Sequence, residues 1–249
     1  MRYTGTASIL LIVIAAAVFT GPAAAQAADP DTLFYHKAIE NAVTLFRKSA
    51  GDQSGLFNGS QYAGYLFEFR DSGHPYFLKQ VTPGTIVYDN QFYPQVKLLY
   101  DELAEEIVFE DSTHRIQLLK QRVAGFTIGA SSFVNIVKDS LSSAIVSTGF
   151  YQVLYGGRVV VLKKEIKRIR EEMRYADEGV LRFIDAKQYY YIRKGGVYYS
   201  ISSKKALLSV FKDRKKELQQ YIKSSRLNFK KDRDDMLAKL GAYYDQLTK

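Results

Sequence analysis

Hydrophobic positions change period twice along the chain. In residues 32–49 they recur every three to four residues, at Phe34, Ala38, Val43 and Leu45-Phe46, with Glu40, Arg47 and Lys48 off the stripe. That spacing predicts a helix capped by Asp31 or Thr32. From residue 55 to 201 the period falls to two. Short apolar runs at 66–69, 75–78, 85–88, 96–100, 106–109, 116–119, 123–128 and 132–137 alternate with turn clusters such as Asp71-Ser72-Gly73 and Asp111-Ser112-Thr113. Strands this closely spaced leave no room for crossover helices, so they predict an antiparallel meander. Pro94 falls inside one run and marks an edge or a bulge. Two aromatic-rich segments, 150–161 and 189–201, predict hairpins around Gly156-Gly157 and Gly195-Gly196, where glycine pairs supply the positive φ of a primed turn.

After residue 201 the helical period returns. Ser202 or Ser203 caps a helix from 204 to about 224, with Leu207, Phe211, Leu218 and Tyr221-Ile222 inward. A second helix begins at Asp232 or Asp234, with Met236-Leu237, Leu240, Tyr243-Tyr244 and Leu247 inward. Residues 163–174 read two ways. Leu162, Ile166, Ile169 and Met173 share a helical face, yet the segment starts as a strand, and an irregular strand is the favoured reading. The expected fold class is α+β: an N-terminal helix, a large antiparallel β-meander able to curl into a half-barrel, and a C-terminal helical hairpin. A single domain is expected over residues 28–249, with helix and turn at 28–54, meander at 55–201 and hairpin at 202–249.

The first residues lie outside that scheme. Arg2 is the only charge before Asp29, an apolar run fills 9–19, Gly21-Pro22 breaks it, and Ala25-Gln26-Ala27 forms an A-x-A cleavage signature. Residues 1–27 therefore read as a cleaved signal peptide, with a cut after Ala25 as the alternative. The apolar centre falls short of the ~20 residues of a spanning helix. Charges interrupt every later run, so no transmembrane span is expected in the mature chain. The expected location is exported: periplasm or cell envelope, or secreted.

Composition narrows the chemistry. The 249 residues contain no Cys, which excludes disulfides, thiolate nucleophiles and Cys-ligated metals. Charge is divided unevenly. Residues 28–150 hold 10 Lys+Arg against 14 Asp+Glu, net −4, whereas residues 151–249 hold 24 against 12, net +12. The basic half calls for an acidic partner: an anionic envelope polymer, lipid headgroups or an acidic protein. Lys212, Arg214, Lys215 and Lys216 are its candidate binding residues. Interspersed acids such as Asp213 and Glu217 favour the alternative, a solvated helix face without a partner. Nineteen Tyr and fifteen Phe, with no Trp, suggest either cross-strand pairing or a tyrosine surface, with Tyr190 and Tyr198 as candidates.

Catalytic signatures are absent. The chain has no P-loop, no G-x-S-x-G and no H-E-x-x-H, and His36, His74 and His114 lack metal-ligand spacing. No catalytic residue, metal or cofactor is expected. Asp71-Ser72-Gly73-His74 carries the residue types of a triad but reads as a turn. The acidic cluster Asp101, Glu102, Glu105 and Glu106 reads as a solubilising hairpin end. Nucleic acid is not an expected partner, since no recognised module is present.

Four segments resemble a recurrent pattern in secreted proteins of Bacteroidota that have no assigned activity: Gly55-Leu56-Phe57-Asn58-Gly59-Ser60-Gln61-Tyr62, Gly73-His74-Pro75-Tyr76-Phe77, Gly149-Phe150-Tyr151-Gln152-Val153-Leu154-Tyr155 and Lys212-Asp213-Arg214-Lys215-Lys216-Glu217-Leu218. The resemblance implies a cell-envelope location and carries no functional residues with it. The leading expectation is a non-enzymatic binding or scaffolding module. The alternatives are a carrier of a hydrophobic ligand in a curled sheet and an envelope hydrolase.

Overall fold

The computed structural model describes residues 53–138, 145–173 and 179–248. The expected signal peptide and N-terminal helix lie outside the described residues. Eleven antiparallel strands form one sheet: β1 (Ser60–Gln61), β2 (Thr82–Tyr88), β3 (Gln91–Asp101), β4 (Glu106–Glu110), β5 (Arg115–Gln117), β6 (Val123–Ile128), β7 (Ser131–Ile136), β8 (Gly149–Gly156), β9 (Val160–Met173), β10 (Val180–Lys194) and β11 (Val197–Ser200). Their order is β1-β5-β4-β3-β2-β6-β7-β8-β9-β10-β11, so the sheet stays open between β1 and β11. Three helices follow: α1 (Lys204–Val210), α2 (Lys215–Ser224) and α3 (Arg233–Leu247). The architecture is α+β, an antiparallel sheet with C-terminal helices.

The first half of the sheet curls tightly. Four strand steps separate β3 from β8, about 19 Å in a flat sheet. Yet the rings of Tyr100 on β3 and Phe150 on β8 lie 5.8 Å apart. Phe126 and Phe133, paired across β6 and β7, stack at 4.7 Å beneath them. Ile86, Tyr88, Leu98, Ile107 and Phe109 complete this interior. Pro94 and Gln95 make the expected bulge, because Gly84 faces Val96 while Ile86 faces Tyr93. The extra residue changes the parity of β3, so Tyr93, Val96, Leu98 and Tyr100 all turn inward.

The second half is built differently. β9 and β10 pair without interruption from Val160↔Arg193 to Met173↔Val180, so residues 163–173 are strand. β8 accompanies β9 only as far as Lys163, and the rest continues as a two-stranded ribbon. Glu171–Arg182 and Arg170–Asp185 ion pairs lace that ribbon across its strands. The helical period that competes with strand at Leu162, Ile166, Ile169 and Met173 is accidental. The segment's charges pair across the ribbon instead. The helices cover Val161, Tyr190 and Ile192 with Leu207, Phe211, Leu218, Ile222, Met236, Leu240 and Tyr244, all buried.

Several expectations are corrected. Residues 66–69 and 75–78 are not strands. Residues 66–69 run irregularly beside the ribbon, next to the Arg70 N–H that donates to the Arg182 carbonyl, whereas 75–78 lie along the end of β3, with an isolated Tyr76–Asp101 bridge and the Phe77 N–H donating to the Tyr100 carbonyl. The side chains of Tyr65, Phe67 and Phe69 meet one another edge-on rather than alternating across a sheet. The helix expected at 204–224 is broken into α1, a 3₁₀ turn at Lys212–Arg214 and α2. In an unbroken helix the stripe through Leu207, Phe211, Leu218 and Ile222 would carry Arg214 or Lys215 inward, and the break leaves both exposed. Gly195 and Gly196 have the expected positive φ, +57° and +80°. Gly157 serves another purpose: a Cβ there would fall 2.2 Å from Asp245 Oδ2. The Asp245 carboxylate of α3 accepts hydrogen bonds from the Arg158 N–H, the Val159 N–H and the Tyr155 hydroxyl, pinning the last helix to the β8–β9 turn.

Candidate functional site

Two concentrations of charge stand out, one turned inward and one outward. The inward one is the β3–β4 hairpin end. Curling brings it against β9, where Lys167 meets Glu102 at 3.0 Å and Lys164 meets Glu105 at 2.7 Å. Asp101 is fully buried. One of its oxygens accepts from the Tyr62 and Tyr65 hydroxyls at 2.7 and 2.9 Å, the other from the Leu103 and Ala104 N–H groups. Four donors satisfy the carboxylate and pin the irregular 62–65 segment to the hairpin. Lys167 Nζ also donates to the carbonyls of His74 and Tyr76. The acidic cluster is thus a buried fastener, not a solubilising surface.

Burial sets the protonation of this region. Removal from water pushes Glu102 up to about 7, with Lys167 offsetting only part of the effect. Burial and the Asp101 charge raise Glu106, and Tyr62 and Tyr65 rise through burial and their hydrogen bonds. Burial and the nearby Lys167 cation lower His74, whose buried Nδ1 has no hydrogen-bond partner. No nucleophile–base pair assembles around it, because Asp71 and Ser72 occupy an exposed left-handed turn. Among the described residues, no cluster of His, Asp and Glu could hold a metal ion.

The outward concentration is the helical layer. Lys212, Arg214, Lys215 and Lys216 are all exposed on the 3₁₀ turn and the start of α2. Arg214 pairs with Glu217, while Asp213 is taken by Lys194 and the Tyr244 hydroxyl. The two tyrosine candidates do not share a surface. Tyr190 is buried under the helices, its hydroxyl donating to Asp234 at 2.6 Å, with the Gln188 side chain 2.9 Å away. Tyr198 lies on the opposite face of the sheet, partly buried against the cluster of Tyr151 and Leu162.

No protein-family model, curated protein or solved structure matches this chain.

The geometry alone must therefore carry any reading. Where the curled half meets β9, Phe77, Tyr100, Phe133 and Phe150 together with Glu102, Gln152, Lys163 and Glu165 enclose a small cavity of about 20 Å³. Beside the helices two open grooves flank the connector before α3. One of about 500 Å³ is lined by Ser203, Lys204, Leu227, Phe229, Lys230 and Arg233. The other, about 560 Å³, includes Lys163, Gln188, Tyr190 and Asp234. Sequence reading missed both, because their walls come from segments tens of residues apart. Among the described residues, no helix is long and apolar enough to cross a membrane.

Proposed function

We propose that the chain is an exported cell-envelope protein, a non-enzymatic binding or scaffolding module whose basic C-terminal half engages an anionic envelope polymer. One observation carries the reading: the helical layer buries Leu207, Phe211, Leu218, Ile222, Met236, Leu240 and Tyr244, yet leaves Lys212, Arg214, Lys215 and Lys216 in water. Apart from the Arg214–Glu217 pair, these cations make no ion pair among the described residues, which leaves them open to a partner. The A-x-A leader and the resemblance to secreted Bacteroidota proteins support the envelope location. The interior bears on the carrier alternative. A void of about 20 Å³ holds roughly one water molecule, whereas ligand cavities start near 300 Å³.

Reversing Lys212, Arg214, Lys215 and Lys216 to Glu tests the proposal, with folding stability and retention on isolated envelopes measured at two salt concentrations. Stability stays nearly unchanged while retention is lost. The wild-type retention weakens as salt rises, since screening acts over about 8 Å at physiological ionic strength. Unchanged retention at both salts overturns the proposal.

A further inference from the structure

The groove of about 500 Å³ beside the helices differs from the rest of the basic surface in having an apolar floor. Leu227 and Phe229 supply that floor, half-buried against the helical core. Three cations, Lys204, Lys230 and Arg233, stand around it, and none of its lining residues is acidic. Ion pairs in and around the helical layer join Lys163 to Asp234, Lys194 to Asp213, Arg214 to Glu217 and Lys239 to Asp235; none uses these three cations.

Arg233 is the informative member. Its guanidinium carbon lies 4.4 Å from the Phe229 ring centre and 5.1 Å from that of Tyr190. Its Nε donates to the Phe229 carbonyl at 3.4 Å. Two aromatic contacts and a backbone anchor hold the planar fork in place before any ligand arrives, lowering the ordering cost of a bidentate contact. Asp232 and Asp234 flank it in sequence and line the adjoining groove; Asp234 is engaged by Lys163 at 2.7 Å and the Tyr190 hydroxyl at 2.6 Å, and among the described residues neither acid forms an ion pair with Arg233. A half-buried, pre-positioned arginine without an ion-pair partner among the described residues, next to an apolar floor, is the arrangement that receives a carboxylate carried on an apolar body.

We infer that this groove is a binding site for an amphipathic carboxylate, with the carboxylate on Arg233, flanked by Lys204 and Lys230, and the apolar body over Leu227 and Phe229. The site stands apart from Lys212, Arg214, Lys215 and Lys216, which follow the other end of α1. It does not depend on polymer binding, and either reading can fail alone.

The test titrates the full chain with octanoate, octanol and acetate by isothermal calorimetry. Octanoate saturates at one site, and octanol and acetate each bind at least about tenfold more weakly, as loss of a charge-assisted contact or of the apolar body requires. Arg233→Gln weakens octanoate about tenfold and leaves octanol unchanged, which separates this groove from any apolar binding by the leader segment. Lys204→Gln with Lys230→Gln changes only exposed side chains. It weakens octanoate in the same direction and so guards against a folding defect in the arginine variant. No saturable octanoate binding, equal affinity for octanoate and octanol, or octanoate affinity unchanged in both variants overturns the inference.

Discussion

The two halves of the sheet solve the same burial problem in opposite ways. The curled half closes over its own aromatic rings and draws its charges in: Asp101 is fully buried, and Glu102 faces Lys167 out of solvent. The ribbon half brings in helices for a cover and, apart from Asp245 and the two β9 lysines that reach the hairpin end, leaves most of its charges at the surface. The contrast gives the uneven charge of the chain a physical meaning. Much of the acidity of the first half is structural, consumed by two lysines of β9 and two tyrosine hydroxyls. Part of the basicity of the second half is spent on the ribbon in pairs such as Arg182–Glu171. On the helices Arg214 and Lys239 sit in surface pairs with Glu217 and Asp235, while Lys212, Lys215 and Lys216 are exposed.

The largest expected effect separates the halves by packing. Phe150 touches both Tyr100 and Phe126, and it carries the closure of the curl. Phe150→Ala should cost about 3–5 kcal/mol in urea denaturation, the range for a fully buried aromatic. A loss below about 1 kcal/mol would show that the curl does not depend on this ring.

A smaller effect sharpens the contrast electrostatically. Burial raises Glu102 to about 7 from an ordinary 4.5. The folded chain therefore holds that proton more tightly than the unfolded chain. Its contribution to stability is complete below pH 4.5 and is lost as pH rises through 7, a change of about 3 kcal/mol. Urea midpoints between pH 5 and 8 should fall with pH in the wild type, and Glu102→Gln should flatten the fall. Parallel slopes in the two proteins would remove Glu102 as the cause.

Much of this architecture was legible before any coordinates. Turn chemistry marked Asp111-Ser112-Thr113 and Gly195-Gly196, and Pro94 marked its bulge, because each acts through local backbone geometry. The inward helical stripe was legible for the same reason of periodicity. What could not be read depends on distant partners. Phe67 and Phe69 alternate like strand residues, but their place is set by a ribbon more than 100 residues later, where Arg182 lies 4.3 Å from the Phe67 ring centre. The helix break after Val210 follows from which face the core occupies, not from a breaker residue. The acidic hairpin end read as solvated because Lys164 and Lys167 reach it only through the curl. Arg233 gave no signal, since its environment joins the connector before α3 to the middle of β10.

The central claim is that the charge at the β3–β4 hairpin end is structural and that the exposed charge of Lys215 and Lys216 at the start of α2 is not. Two double reversals measured side by side by urea denaturation test it most directly: Lys164→Glu with Lys167→Glu, and Lys215→Glu with Lys216→Glu. The first pair places like charges against Glu105 and Glu102 in a buried site and should cost more than about 3 kcal/mol. The second changes exposed residues and should stay within about 0.5 kcal/mol per substitution. Equal losses in the two variants, or a negligible loss in the first, would contradict the account.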